Sequence, residues 1–261
     1  MTSDLNEYFD KLYLRGIHLS DGQKAWYKAK QQMLREDMTR EYPSYPEEAF
    51  AASQDGYWYA REMKNLHETN HIANISYDRA LPVHTSWDLG QADKMCIWFF
   101  QINRAEEINL IDYFGKNNTD LASCLSILNS KGYTYDTHLW PFDANARDRA
   151  GITFVMQAAE MNLHGIVLEN HDLKDGIRLV RTTLSKCWFD QTKCKEGIQA
   201  LENYKKRWSP QLGGWTSEPV HDDASHGADS FRYLCAGLKK IRGTSADLTN
   251  DAKALRSYWG G

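Results

Sequence analysis

Three aspartates and a cluster of acidic and imidazole side chains are the residues of this chain best equipped for chemistry. Asp88 stands in Trp87-Asp88-Leu89-Gly90 and Asp143 in Trp140-Pro141-Phe142-Asp143-Ala144, each at the end of a strand-like run. Asp229 closes a stretch of nine residues that also holds His221, Asp222, Asp223 and His226, just ahead of an apolar helical run. Carboxylates delivered from the ends of separate elements suit metal-dependent phosphodiester hydrolysis. There, two divalent ions ~4 Å apart share a bridging carboxylate; one activates water and the other stabilises the leaving oxygen. Mg2+ and Mn2+ want hard oxygen ligands, so two or three aspartates suffice and cysteine is unwanted. Like charges ~4 Å apart repel by ~4 kcal/mol at an effective dielectric of 20, so a converging cluster of this kind calls for a cation.

Each aspartate also has a plainer reading. Asp88 is the candidate bridging ligand, followed by Gly90, which lets the chain turn sharply and leaves room for a phosphate; an Asp-x-Gly is otherwise a β-turn cap. Asp143 is a ligand or an N-terminal helix cap, with Asp148 competing for the cap. Asp229 is a ligand or a first-turn acid complementing the helix dipole, with Ser225 as the expected cap. Asp93 reaches the site through the turn after Asp88 or is merely solvated. His226 orients a ligand, serves in acid/base work, or packs under the last helix. Asp93, Asp222, Asp223 and His226 are the residues expected to support the ligands from behind.

The elements that must position these residues are legible in part. Ser20-Asp21-Gly22-Gln23 has the form of a capping box. It opens a helix expected to run to about Glu41, before Pro43 forbids continuation. Pro46 then starts a short helix over 47–50. From Pro82 the texture changes to strands over 83–88, 95–102 and 106–114, separated by short turns as in an antiparallel meander. A helix over 120–129, a strand over 137–142, a helix over 148–161 and a strand over 165–168 follow. Helices are expected over 175–188 and 194–208, a hairpin turn at Gly213-Gly214, and a last helix from Ser225 to about Ile241. The order βββαβαβα is that of an RNase H-like fold: a mixed central sheet flanked by helices, with an N-terminal helical appendage. The expected division is a helical segment over 1–75, the RNase H-like domain over 76–245 and a loosely held tail over 246–261.

Composition excludes little else. The chain has 261 residues, 42% of them hydrophobic, enough for a sizeable core. No run approaches the ~18 apolar residues of a membrane span, and the N-terminus lacks a signal-peptide layout, so a soluble protein is expected. Five scattered cysteines without finger-like spacing argue against zinc and for reduced thiols. A net charge of −4 counts mildly against nucleic-acid binding, which usually uses a basic face, although bound cations offset an acidic centre.

Several words of the sequence, in order, resemble the nuclease domain of the large terminase subunit of tailed bacteriophages. They are Trp87-Asp88-Leu89-Gly90 with Asp93, Pro141-Phe142-Asp143-Ala144, Asp175-Gly176-Ile177 with Arg181, Trp188-Phe189-Asp190, Tyr204 with Trp208, and His221-Asp222 with Ser225-His226-Gly227-Ala228-Asp229 and Arg232-Tyr233. Upstream, Leu19-Ser20 with Gln23 and Trp26-Tyr27, Arg40-Glu41-Tyr42-Pro43-Ser44 and Glu47-Glu48-Ala49-Phe50 look like the segment after the family's packaging ATPase core. Phe142 and Asp223 depart from the family pattern, where a polar residue and an aromatic are common. The resemblance implies a metal-binding triad of Asp88, Asp143 and Asp229 holding two Mg2+ or Mn2+ ions and cutting concatemeric double-stranded viral DNA during packaging. It further implies a portal ring and a small terminase subunit as partners of the full-length protein. The setting would be the host-cell cytoplasm, from a virus or a prophage. A hairpin over 209–220 would lie beside the cleft. No Gly-x-x-x-x-Gly-Lys-Ser/Thr loop is present, so no ATP hydrolysis is expected, and the chain looks like the C-terminal part of such a protein. Two other functions fit less well: a resolvase- or integrase-type nuclease, which lacks the N-terminal segment, and a non-catalytic module docking on DNA or the portal.

Overall fold

The computed structural model describes residues 2–34, 38–46, 48, 55–90 and 93–258. The described elements begin with helices α1 (Thr2–Leu14), α2 (Asp21–Leu34), α3 (Met38–Glu41) and α4 (Ala60–Glu68). Strands β1 (Ile72–Ala73), β2 (Val83–Asp88), β3 (Lys94–Ile102) and β4 (Ile108–Asn117) follow, then α5 (Leu121–Lys131) and β5 (Tyr135–Trp140). After a 3₁₀ turn over Phe142–Asn145 come α6 (Phe154–Glu160), β6 (Ile166–Val167), α7 (Leu173–Leu184), β7 (Cys187–Asp190) and α8 (Lys195–Asn203). The chain closes with strands β8 (Lys206–Ser209) and β9 (Gly214–Pro219) and helix α9 (Asp223–Tyr258).

These elements form two compact units, one of residues 1–57 with 206–218 and one of residues 58–205 with 219–261. In the smaller unit the expected capping box is present. The Ser20 amide donates to Gln23 Oε1 at 2.9 Å, and the Gln23 amide donates to Ser20 Oγ at 3.3 Å. Two otherwise orphaned N–H groups are thereby satisfied. A small core of Phe9, Leu12, Tyr27 and Met38 holds the helices. Part of the expected continuous helix, residues 35–37, lies outside the described residues, as do Glu47, Ala49 and Phe50 of the expected 47–50 helix. The hairpin expected at Gly213-Gly214 is formed by β8 and β9, with Gly213 at φ +60, a left-handed value open to glycine.

The larger unit is built on a seven-stranded sheet of order β1-β7-β4-β3-β2-β5-β6. The meander β2-β3-β4 is antiparallel, while β5 pairs parallel with β2 and β7 parallel with β4. Alternation along β3 explains why the sheet is covered on both sides. Cys96, Trp98 and Phe100 enter one core with residues of α4, α7, α8 and α9, while Met95, Ile97 and Phe99 enter the other with residues of α5 and α6. A strand buried on both faces reads as one apolar run, which is the pattern of 95–102. The mixed sheet flanked by helices expected from the sequence is the observed architecture.

Several boundaries differ from expectation. The helix expected over 148–161 begins at Phe154, because Thr153 Oγ1 accepts from the Met156 amide at 3.1 Å. Asp148 instead folds a turn, its Oδ1 accepting from the amides of Ala150 and Ile152. The helix expected over 175–188 ends at Leu184, and Cys187–Asp190 is strand, paired with Ile108, Asn109 and Leu110 of β4. The helix expected to reach Trp208 stops at Asn203, and Lys206–Ser209 joins the hairpin. The last helix starts at Asp223 rather than Ser225, with Asp222 Oδ1 accepting from the Ala224 amide at 3.1 Å, and its described backbone continues to Tyr258. Ser225 lies inside the first turn, buried, its hydroxyl donating to the Asp222 carbonyl at 2.6 Å.

Candidate metal centre

Asp88 is the last residue of β2, and the strand that carries it is stapled to α9. Ser86 Oγ donates to the Ser230 carbonyl at 2.7 Å and Ser230 Oγ donates to the Ser86 carbonyl at 2.8 Å, both fully buried. Trp98 Nε1 adds a bond to the Gly227 carbonyl at 2.9 Å. The helix that bears His226 and Asp229 is thus registered against the strand end that bears Asp88. Asp143 arrives from the other side of β2, in the 3₁₀ turn that follows the neighbouring strand β5.

The charges of Asp229 and Asp143 are both felt at Asp88. Burial pushes the Asp88 carboxyl above its ordinary range. The hydrogen bond from His226 opposes this, and the charges of Asp229 and Asp143 push it further up. Desolvation raises the Asp143 carboxyl too. Asp143 sits inside a 3₁₀ turn with Pro141 at the cap position, so it does not cap a helix. The Asp88 carboxylate is engaged by His226, and no side-chain cap bond holds the Asp143 turn.

Two side chains of the protein hold two of these carboxylates in place, His226 for Asp88 and Arg232 for Asp229. His226 Nδ1 lies 2.9 Å from Asp88 Oδ2, with both side chains largely buried. Arg232 donates from Nε and Nη2 to the same oxygen of Asp229, Oδ1, at 3.3 and 3.1 Å, which leaves Oδ2 for other work. The Asp229-x-x-Arg232 spacing that allows this is visible in the sequence, one turn of a helix apart. The contact between His226 and Asp88 spans 138 residues and left no local signal.

The remaining candidates divide. Asp222 is occupied as a helix cap and in an ion pair with Lys205 Nζ at 3.2 Å. Asp223 is exposed at the first position of α9, where it complements the helix dipole. Asp93 does approach, 3.9 Å from His221 Nε2. Among the described residues, the ligand atoms that close within 4.8 Å of one another are those of Asp93, His221 and His226. The three aspartates stand further apart, as like charges favour.

The donors fit a hard divalent ion. Asp88, Asp143 and the second oxygen of Asp229 form an all-oxygen set; the five cysteines are buried, and Cys96, beside Asp88 on β3, accepts on its Sγ from the Tyr113 hydroxyl. Gly90 also has a steric role. A methyl group there would lie 2.5 Å from the backbone carbonyl of Lys94, so the space after Asp88 is filled by the returning strand. Gly90→Ala should therefore shift the β2–β3 turn and lower stability by about 1–3 kcal/mol, read from denaturant midpoints. An unchanged midpoint would show that the turn yields freely.

No protein-family model and no curated protein matches the sequence. Among solved structures, the fold is similar to that of the large terminase from a thermophilic bacteriophage in complex with ATP-γ-S. The TM-score is 0.53 at 18% identity, over 70% of this chain and 45% of that one. It is also similar to the P22 large terminase nuclease domain, with a TM-score of 0.50 at 13% identity, over 66% of this chain and 89% of that one. The chain thus spans under half the length of the thermophilic phage protein and most of the P22 domain. The likeness is one of fold, and it meets the terminase-nuclease resemblance and the RNase H-like expectation drawn from the sequence.

Proposed function

We propose that the chain, which has the fold of large terminase nuclease domains, is a metal-dependent endonuclease that cuts double-stranded DNA during viral genome packaging. The observation that supports this reading is the geometry that carries three carboxylates: Asp88 at the end of β2, Asp229 on the helix stapled to that strand by Ser86 and Ser230, and Asp143 in the turn after β5, the parallel neighbour of β2. Asp88, Asp143 and Asp229 would hold two Mg2+ or Mn2+ ions, with Asp88 bridging. Such ions would supply an activated water and stabilise the leaving oxygen.

The chain's own groups prepare the site. His226 fixes the Asp88 carboxylate, and Arg232 takes one oxygen of Asp229, leaving the other to bind an ion. The buried serine staple keeps β2 and α9 in register. Residues 1–75 are read as the end of a packaging ATPase and its linker, 76–245 as the nuclease and 246–261 as a tail. The nuclease is expected to lack ATPase activity of its own. DNA, a portal ring and a small terminase subunit are the proposed partners, in the host-cell cytoplasm. No described helix is long and apolar enough to cross a membrane.

Supercoiled plasmid incubated with the purified chain should be nicked and linearised in Mg2+ or Mn2+ and left intact in EDTA. In parallel, Mg2+ should stabilise the fold by about 2.7 kcal/mol at a hundredfold excess over Kd. Stabilisation without cleavage would favour a non-catalytic DNA- or portal-docking module instead.

A further inference from the structure

We infer that Asp93, His221 and His226 form a second, nitrogen-rich site that takes a transition-metal ion such as Zn2+ or Co2+. It is distinct in chemistry from the all-oxygen aspartate set. Each of the three residues brings one ligand atom into a group that closes within 4.8 Å. Ligands about 2.0–2.2 Å from a tetrahedral ion are about 3.3 Å apart, so closure asks for movements near 1 Å. Asp93 and His221 are exposed and free to make them.

The proton order around the two rings is already the one a metal site needs. The single hydrogen of Ser225 Oγ goes to the Asp222 carbonyl at 2.6 Å, so that oxygen accepts from His221 Nδ1 at 3.2 Å. The Asp88 carboxylate likewise draws the proton of His226 to Nδ1, 2.9 Å away. In both rings Nε2 therefore carries the lone pair. Metal-binding histidines characteristically have their other nitrogen held by a carboxylate or a similar acceptor, which fixes the tautomer and raises ligand basicity. The rings sit with centroids 5.0 Å apart, and His221 Nε2 is the nitrogen 3.9 Å from Asp93 Oδ2. Two imidazoles and one carboxylate leave open coordination positions and prefer Zn2+, Co2+ or Ni2+ over Mg2+, which binds imidazole poorly.

The site shares His226 with the proposed nuclease centre, so its test is arranged to tell the two readings apart. The full chain is titrated with Co2+ in a large excess of Mg2+, following the visible absorption of four-coordinate Co2+, and with Zn2+ by calorimetry. One equivalent should bind with imidazole-type Co2+ absorption and no thiolate band, since all five cysteines are buried. His221→Gln and Asp93→Asn should each weaken Zn2+ binding at least about tenfold. Mg2+-dependent plasmid nicking of the wild type reports separately on the nuclease reading. Zn2+ affinity unchanged in His221→Gln would overturn the site, as would a Co2+ signal abolished by Mg2+.

Discussion

Replacing Asp88 by Asn should abolish Mg2+-dependent plasmid cleavage while leaving the metal-free protein as stable as the wild type or more so. The side chain keeps its shape and can still accept a hydrogen bond from His226, 2.9 Å away, but loses the charge proposed to bridge two ions. Loss of that charge should slow cleavage by at least about a thousandfold, equivalent to roughly 4 kcal/mol of transition-state stabilisation. Stability should move the other way because the folded state raises the Asp88 carboxyl through burial, with Asp229 and Asp143 adding to it. A carboxyl whose folded pKa lies above its unfolded value destabilises the fold when ionised, and that cost is present at neutral pH and fades in acid. The neutral amide removes it. Nicking rates and denaturant midpoints in EDTA give the two readouts. A destabilised Asp88→Asn protein that still cuts DNA would make the residue a structural cap and refute the centre.

The second large effect is acid lability seated beneath the same strand. His138 on β5 is buried, and desolvation, aided by the nearby His84, holds its pKa down at about 4, with Asp136 opposing. Burial lowers His84 too, with Asp136 again opposing. The hydrogen-bond order explains why the ring stays neutral. Trp87 Nε1 donates to Thr85 Oγ1 at 2.7 Å, so the Thr85 hydroxyl hydrogen goes to His138 Nδ1 at 2.6 Å. Protonation at Nδ1 would put two donors face to face. Between pH ~6.5 and ~4 the unfolded chain takes up a proton that the folded chain refuses, so stability is present above this window and lost on acidification. His138 alone should remove about 3 kcal/mol between pH 7 and pH 4. The raised carboxyls of Asp88 and Asp143 act in the opposite sense, so the comparison must be with a variant. His138→Asn, which can still accept from Thr85, should lose less stability on acidification, whatever its starting value. Parallel pH profiles for the two proteins would dismiss the histidine as the cause.

What could be read from the sequence was what local rules determine. Val83–Asp88 alternates and is bounded by turn residues, and β2 has those limits. Ser20 and Gln23 satisfy each other's amides as their spacing requires. The helix expected over 120–129 is present as α5, with Asp120 capping it through the Ser123 amide. Cys187–Asp190 went unread because nothing nearby distinguishes it from another helical turn. It is a strand because β4, some 80 residues earlier, supplies its hydrogen bonds. In the candidate centre the aspartates announced themselves by position, whereas their partners did not. His226 was visible as a residue but not as the partner of Asp88, and His221 gained its place beside Asp93 only through the turn that precedes α9.

The paired serines between β2 and α9 bear on how such a centre withstands mutation. Asp88 is two residues from Ser86, and Asp229 immediately precedes Ser230, while both bonds of the staple end on main-chain carbonyls. The separation of the two carboxylates is therefore gauged by backbone atoms rather than by the rotamers of neighbouring side chains. Surface positions such as Phe142 and Asp223 can drift, altering the charge and shape met by an incoming strand, without respacing that pair. Lineages could thus retune what approaches the centre while its dimensions stay constant.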